Sequence, residues 1–150
     1  MTLENVNWMI AGPAAAAVFL LIILLIFTAL RHRRNSGVIV DGHDFEHFCA
    51  EVLAHAGFES IELTPASGDF GVDILAERDG VTWAFQCKYY EKPVGTRAVQ
   101  EIYSGRDYYH RMVGAVMTNN AYTKNAVKMA DELNILLWDG EYLSELVGEN

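Results

Sequence analysis

The sequence predicts an α/β domain, a mixed β-sheet flanked by helices in the order α-β-β-β-α-β-α-β, placed after one N-terminal transmembrane helix. Three observations predict it. Asp79-Gly80 separates two short strand-like runs, and both central positions of such a hairpin turn need φ > 0, so the early strands pair antiparallel. Met112–Thr118 (MVGAVMT) is an apolar run too short for a helix, followed by a helical pattern and a second apolar run. That β-α-β order makes a crossover and parallel pairs. Residues 8–30 carry no charge at all.

Taken in order, residues 1–7 form a short tail. Residues 8–30, WMIAGPAAAAVFLLIILLIFTAL, exceed the roughly 20 apolar residues a helix needs to cross a bilayer core. Gly12 and Pro13 fall in its first turns, where a membrane helix tolerates them, and Trp8 falls at the interface. A cleaved signal would want basic residues before the run; the tail has one acid and no base, while Arg31, His32, Arg33 and Arg34 follow it. The positive-inside rule then gives a single-pass protein of the cytoplasmic membrane, with the N-terminus outside and the domain at 42–147 in the cytosol. Residues 31–41 are a basic juxtamembrane linker. Asp41 is placed to cap a helix over His43–Ala56, whose apolar stripe is Phe45, Phe48, Cys49, Val52, Leu53 and Ala56. Strands are expected over Phe58–Leu63, 72–77 and 81–90, and a helix from Gly95-Thr96 to about His110 with Val99, Ile102, Tyr103 and Arg106 along one line. The strand Met112–Thr118, a helix over Thr123–Leu133, the strand Ile135–Trp138 and a short helix near Tyr142–Val147 complete the chain.

The chemistry-bearing stretch is SGDFGVDILAERDGVTWAFQCKYY, Ser67 to Tyr90. With Asp79 and Gly80 as loop residues, Arg78 pairs with Val81 and Asp73 lies across from Gln86. Lys88, two residues on, shares that face, while Val72, Ile74, Phe85 and Cys87 are expected on an opposite, apolar one. Asp73, the amide oxygen of Gln86 and the backbone carbonyl of Cys87 suit a hard cation, Mg²⁺ or Mn²⁺. Glu46, at the edge of the first helix's stripe, would add a carboxylate. Lys88 would orient a water or offset charge on a phosphorane-like transition state. The spacing alone leaves an ordinary solvated hairpin face equally open.

The chain carries a formal charge of −9, and residues 36–150 hold 8 Lys+Arg against 19 Asp+Glu. That excludes a general nucleic-acid-coating protein, and any phosphate contact must come from a local basic stripe. Cys49 and Cys87 have neither disulfide-framework nor zinc-knuckle spacing, which fits a reducing compartment. His43, His47 and His55 fall on the polar face of the first helix with no partner motif and read as solvated side chains.

The segments FEHFCAEVLAHAGF, GDFGVDILAE, FQCKYY and VMTNNAYTKNAVKMADELNILLWDG, in that order, resemble the Mrr-like catalytic domain of restriction endonucleases in the PD-(D/E)XK nuclease superfamily. The resemblance covers about residues 42–147. It implies a restriction-endonuclease-like fold and a Mg²⁺- or Mn²⁺-dependent DNA phosphodiesterase, with Glu46, Asp73, Gln86 and Lys88 at the catalytic positions. Gln86 stands where the motif's acid is commonly replaced by glutamine. Lys92, Arg97, Lys124 and Lys128 are the DNA-contact candidates, and Tyr89, Tyr90, Tyr108 and Tyr109 read as packing residues. Double-strand cutting would call for a homodimer, and a separate partner protein is expected to supply specificity, since no DNA-selecting domain is visible. The competing reading is a non-cleaving, membrane-tethered DNA-binding or assembly module on a nuclease-like fold.

Overall fold

The computed structural model describes residues 39, 41–65, 68 and 70–148. The expected tail and transmembrane helix, and most of the linker, lie outside the described residues. Among the described residues no helix is long and apolar enough to cross a membrane.

Helix α1 (Gly42–His55) starts where Asp41 Oδ1 accepts the Asp44 amide at 3.0 Å, satisfying one of the amides a helix start leaves open. It ends as Gly57 takes φ +81. Strands β1 (Glu59–Leu63), β2 (Ile74–Arg78) and β3 (Val81–Lys88) follow, each antiparallel to the one before it. The β2–β3 register runs from Arg78↔Val81 to Ile74↔Phe85, as the Asp79-Gly80 turn requires. Helix α2 (Thr96–Tyr108), strand β4 (Val113–Thr118), helix α3 (Lys124–Leu133), strand β5 (Ile135–Trp138) and helix α4 (Gly140–Gly148) complete the domain. The sheet order is β1-β2-β3-β4-β5, with β3, β4 and β5 parallel.

Both faces of the sheet are covered. Ile74, Ala76, Phe85, Cys87, Ala115, Met117 and Trp138 pack against Phe45, Cys49, Val52 and Leu53 of α1 and Leu143 of α4. Leu75, Ala84, Val116 and Ile135 pack against Ala98, Val99 and Ile102 of α2 and Ala126 and Ala130 of α3. The alternative of an ordinary solvated hairpin face does not hold at Gln86: its face is a second core, and Gln86 is 1% exposed. Val72 is corrected, since it packs among the α2 and α3 side chains rather than with Ile74 and Phe85. The cause is local. β2 begins at Ile74, two residues later than expected, so Val72 belongs to a loop and escapes the strand's alternation.

Candidate active site

The β2–β3 ladder ends at Ile74–Phe85, and the next two donors are handled differently. The Asp73 amide still donates to the Phe85 carbonyl at 2.8 Å, but the Cys87 amide donates to Asp73 Oδ2 at 2.6 Å. The Val72 carbonyl accepts instead from the Thr64 hydroxyl. A side-chain carboxylate thus takes over a sheet-edge hydrogen bond and ties Asp73 to the backbone between Gln86 and Lys88.

Gln86 and Lys88 both face α2, where one carboxylate receives them. Gln86 Nε2 donates to Glu101 Oε2 at 2.8 Å, and Lys88 Nζ lies 3.3 Å from the same oxygen. Arg97 Nε donates to Glu101 Oε1 at 2.7 Å from one turn earlier. Burial disfavours the Glu101 charge, yet the donors from Arg97, Gln86 and Lys88 outweigh it and hold its carboxyl below the usual range. Glu101 is the site residue that sequence reasoning missed. Its signal was present in α2: Glu101 and Gly105, four apart, share the stripe of Ala98 and Ile102 that turns into the core. The expected line through Tyr103 and Arg106 is displaced from it; Tyr103 is partly exposed with Arg106 Cζ 4.9 Å from its ring centre.

Backbone closes the site from above. Gly71 has φ +78, and a Cβ there would sit 2.7 Å from Glu101 Cβ and 3.2 Å from Gln86 Nε2. A Cβ at Gly105 would sit 2.5 Å from Val72 Cγ2 and 2.6 Å from the Phe70 carbonyl oxygen. The segment from Phe70 to Val72 therefore lies directly on α2. Beyond Lys88, where β3 ends, the chain is still held. Thr118 Oγ1 donates to the Lys88 carbonyl at 2.7 Å, and Asn119 exchanges two hydrogen bonds with the Tyr90 backbone at 2.8 and 3.1 Å.

Glu46 is half-buried on α1, with Oε2 3.3 Å from His43 Nδ1. The Cys87 thiol is pushed up by burial, then by its neighbour Cys49, then by the charges of Asp73 and Glu46. Both carboxylates therefore lie within electrostatic reach of Cys87. Lys92, Arg97, Lys124 and Lys128 are all exposed. A bridge between Val94 and Tyr122 ties the loops before α2 and α3 together, which brings the two helix starts side by side. Arg97 is committed to Glu101 through its Nε.

Gln86 Oε1 is buried and has no hydrogen-bond partner among the described residues. The amide cannot be turned to cure this, because Glu101 only accepts and must face Nε2. An orphaned buried oxygen costs about 1–3 kcal/mol. The expected Asp73–Gln86 pair lies beyond the ladder, but Asp73 Oδ2 accepts from the next amide, that of Cys87, so a carboxylate oxygen and an amide oxygen belong to the same stretch of hairpin. These residues fit a hard divalent cation.

The restriction endonuclease family Mrr_cat matches residues 39–147. Among solved structures, the chain is similar to AF1548, a protein of unknown function, at 24% identity and TM-score 0.57, over 69% of this chain and 65% of that one. It is also similar to the DNA modification-dependent restriction endonuclease AspBHI (18%, TM-score 0.54, 69% and 30%). A third is the MspJI restriction endonuclease in complex with a 27-mer oligonucleotide (21%, TM-score 0.53, 69% and 27%). The chain thus spans just under two thirds of the first and less than a third of the other two, and at these identities the likeness is one of fold. No curated protein matches the chain. The family match takes in all five strands and all four helices of the described domain but for the last residue of α4, and the chain belongs to the Mrr_cat restriction endonuclease family.

Proposed function

We propose that this protein is a membrane-anchored, divalent-metal-dependent DNA endonuclease. The observation that carries the reading is the orphaned Gln86 oxygen, one residue from the peptide that Asp73 grips and two from Lys88. Asp73, Gln86 Oε1, the Cys87 carbonyl and Glu46 would hold Mg²⁺ or Mn²⁺. Such a cation supplies charge neutralisation as a water oxygen adds to phosphorus and one P–O ester bond breaks. The chain's own residues do the positioning. Asp73 is fixed by the Cys87 amide, so it cannot swing away from β3. Lys88 is held by Glu101 at its tip and by Thr118 at its backbone, and its ammonium would offset the negative charge that develops on the phosphate. Lys92, Lys124 and Lys128 would touch flanking phosphates, weakly and with a strong salt dependence given the acidic surface. That AspBHI and MspJI are restriction endonucleases, the latter seen with an oligonucleotide, supports DNA as the substrate. A homodimer would bring two such sites to the two strands, and a partner protein would choose the sequence.

The test is plasmid cleavage by the full-length protein with Mg²⁺ or Mn²⁺ against a chelator control. Asp73→Ala and Lys88→Ala are each expected to lower the rate by at least about a hundredfold. Equal rates in wild type and both variants would remove this site. No cleavage of any DNA form by the wild type would leave the non-cleaving module as the better reading.

The anchor rests on residues 8–30 and the arginines that follow. Alkaline carbonate washing of membranes is expected to leave the chain in the pellet, and removal of residues 8–30 is expected to release it. A full-length chain found in the wash would overturn the anchor without touching the nuclease reading.

A further inference from the structure

His43 and His47 stand one turn apart on α1, a spacing that by itself says little. Their geometry says more. The two Nε2 atoms face each other at 3.3 Å, with ring centroids 4.6 Å apart and planes at 78°. That separation admits a hydrogen bond between the rings, as long as the one between His43 and Glu46. It also matches the edge between two nitrogens bound to one tetrahedral ion, which is about 3.3–3.4 Å for bonds near 2.0–2.1 Å.

A second contact sets the chemistry of His43. Its Nδ1 lies 3.3 Å from Glu46 Oε2. An ionised carboxylate only accepts, so the proton of the neutral ring sits on Nδ1 and the lone pair on Nε2. Nε2 is the atom turned towards His47. A carboxylate behind one ring nitrogen and a lone pair on the other, here turned to a second imidazole, is how histidine is set up as a metal ligand. The His43 side chain is 69% exposed, so water can complete the coordination. Asp41 and Asp44 flank the same first turn and offset the positive end of the helix.

The geometry points to a transition-metal site on α1, formed by Nε2 of His43 and His47 with Glu46 orienting His43, and suited to Zn²⁺. Imidazole nitrogens favour Zn²⁺ and its neighbours over Mg²⁺, so this site and the oxygen-lined centre at Asp73 and Gln86 take different ions. Glu46 belongs to both. On the nuclease reading proposed above, Zn²⁺ at the histidines fixes Glu46 to His43 and withholds it from the cleavage centre, which makes Zn²⁺ an inhibitor.

The test uses the full-length protein without DNA, with Co²⁺ as a visible probe and Zn²⁺ as its competitor. One ion per chain is expected, with the absorption of a nitrogen-ligated tetrahedral centre. His43→Ala and His47→Ala are each expected to weaken binding by more than about tenfold, and Glu46→Gln by about tenfold. His55→Ala and Asp73→Ala should bind as wild type. The two histidines are on the surface, and circular dichroism checks that each variant stays folded. Unchanged binding in His43→Ala and His47→Ala overturns the site, as does binding that is lost in Asp73→Ala instead. Zn²⁺ inhibition of Mg²⁺-supported cleavage should be relieved in His47→Ala, and inhibition that persists there overturns the link to Glu46. Because binding is read without DNA, an enzyme that fails to cut would count against the nuclease reading alone.

Discussion

Gly71→Ala is expected to destabilise the domain by about 2–5 kcal/mol and to cut the proposed nuclease activity beyond what unfolding explains. Two costs combine. An L-residue in the left-handed region loses about 1–2 kcal/mol against glycine. The new Cβ would also lie 2.7 Å from Glu101 Cβ and 3.1 Å from the Glu101 carbonyl carbon, and overpacking of this kind costs about 1–3 kcal/mol. Neither neighbour is the loose end of a flexible chain, so relief must come from moving α2 or the loop. Either movement shifts Glu101, and with it Gln86 and Lys88. A misplacement of about 1 Å at such a site costs on the order of a hundredfold in rate. Gly80→Ala separates the two costs, because Gly80 has φ +76 but nothing within 4 Å of an added Cβ. Thermal denaturation of the two variants side by side should show Gly71→Ala melting well below Gly80→Ala. Equal melting temperatures would mean that the loop does not bear on α2 as described.

The order of elements and the hairpin register could be read in advance because both depend on local rules. The Asp79-Gly80 turn fixes Arg78↔Val81, and every later pair in the ladder follows by counting. Antiparallel early strands and parallel later ones followed equally from connection length. What could not be read was set by contacts distant in sequence. Val72 looked like a strand residue because it precedes Asp73 and Ile74 in an apolar alternation. Its carbonyl is taken by Thr64, eight residues earlier, so the strand begins later. The Gln86 face looked polar because counting from the turn put Asp73, Gln86 and Lys88 on it, and periodicity cannot say that α2 covers Gln86 and Lys88.

Glu101 was hidden for the same reason. Fifteen residues separate it from Gln86, and nothing in the strand points to a helix position. The helix itself held a trace: a glutamate and a glycine set four apart within a buried stripe is an odd choice for a helix that only needs to pack. Glutamate there wants a cation, and glycine there admits a backbone, here that of Phe70. Asp73, Gln86, Lys88 and Glu46 were nominated from spacing and resemblance. The structure adds a shared carboxylate for two of them and a common neighbour, Cys87, for the other two.

Gln86→Met should separate stability from function. The wild-type side chain is fully buried, and its two polar atoms fare oppositely. Nε2 gains a hydrogen bond to a charged Glu101, worth about 1.5–3 kcal/mol, while the orphaned Oε1 costs about 1–3 kcal/mol. Methionine has nearly the same length and volume and discards both. The gain and the loss nearly cancel, so the variant is expected to keep its fold, with stability within about 1 kcal/mol of wild type. Cleavage is expected to fall by on the order of a hundredfold or more, because the oxygen proposed to hold the cation is gone. A reading independent of cleavage comes from Mg²⁺ itself. An ion that binds only the native state raises its melting temperature by linkage, so Mg²⁺ should shift wild type and leave Gln86→Met unmoved. A variant that melts far lower without Mg²⁺ would show the amide to be a structural strut. One that responds to Mg²⁺ and cuts as wild type does would mean that the unpaired oxygen has no part in holding the ion.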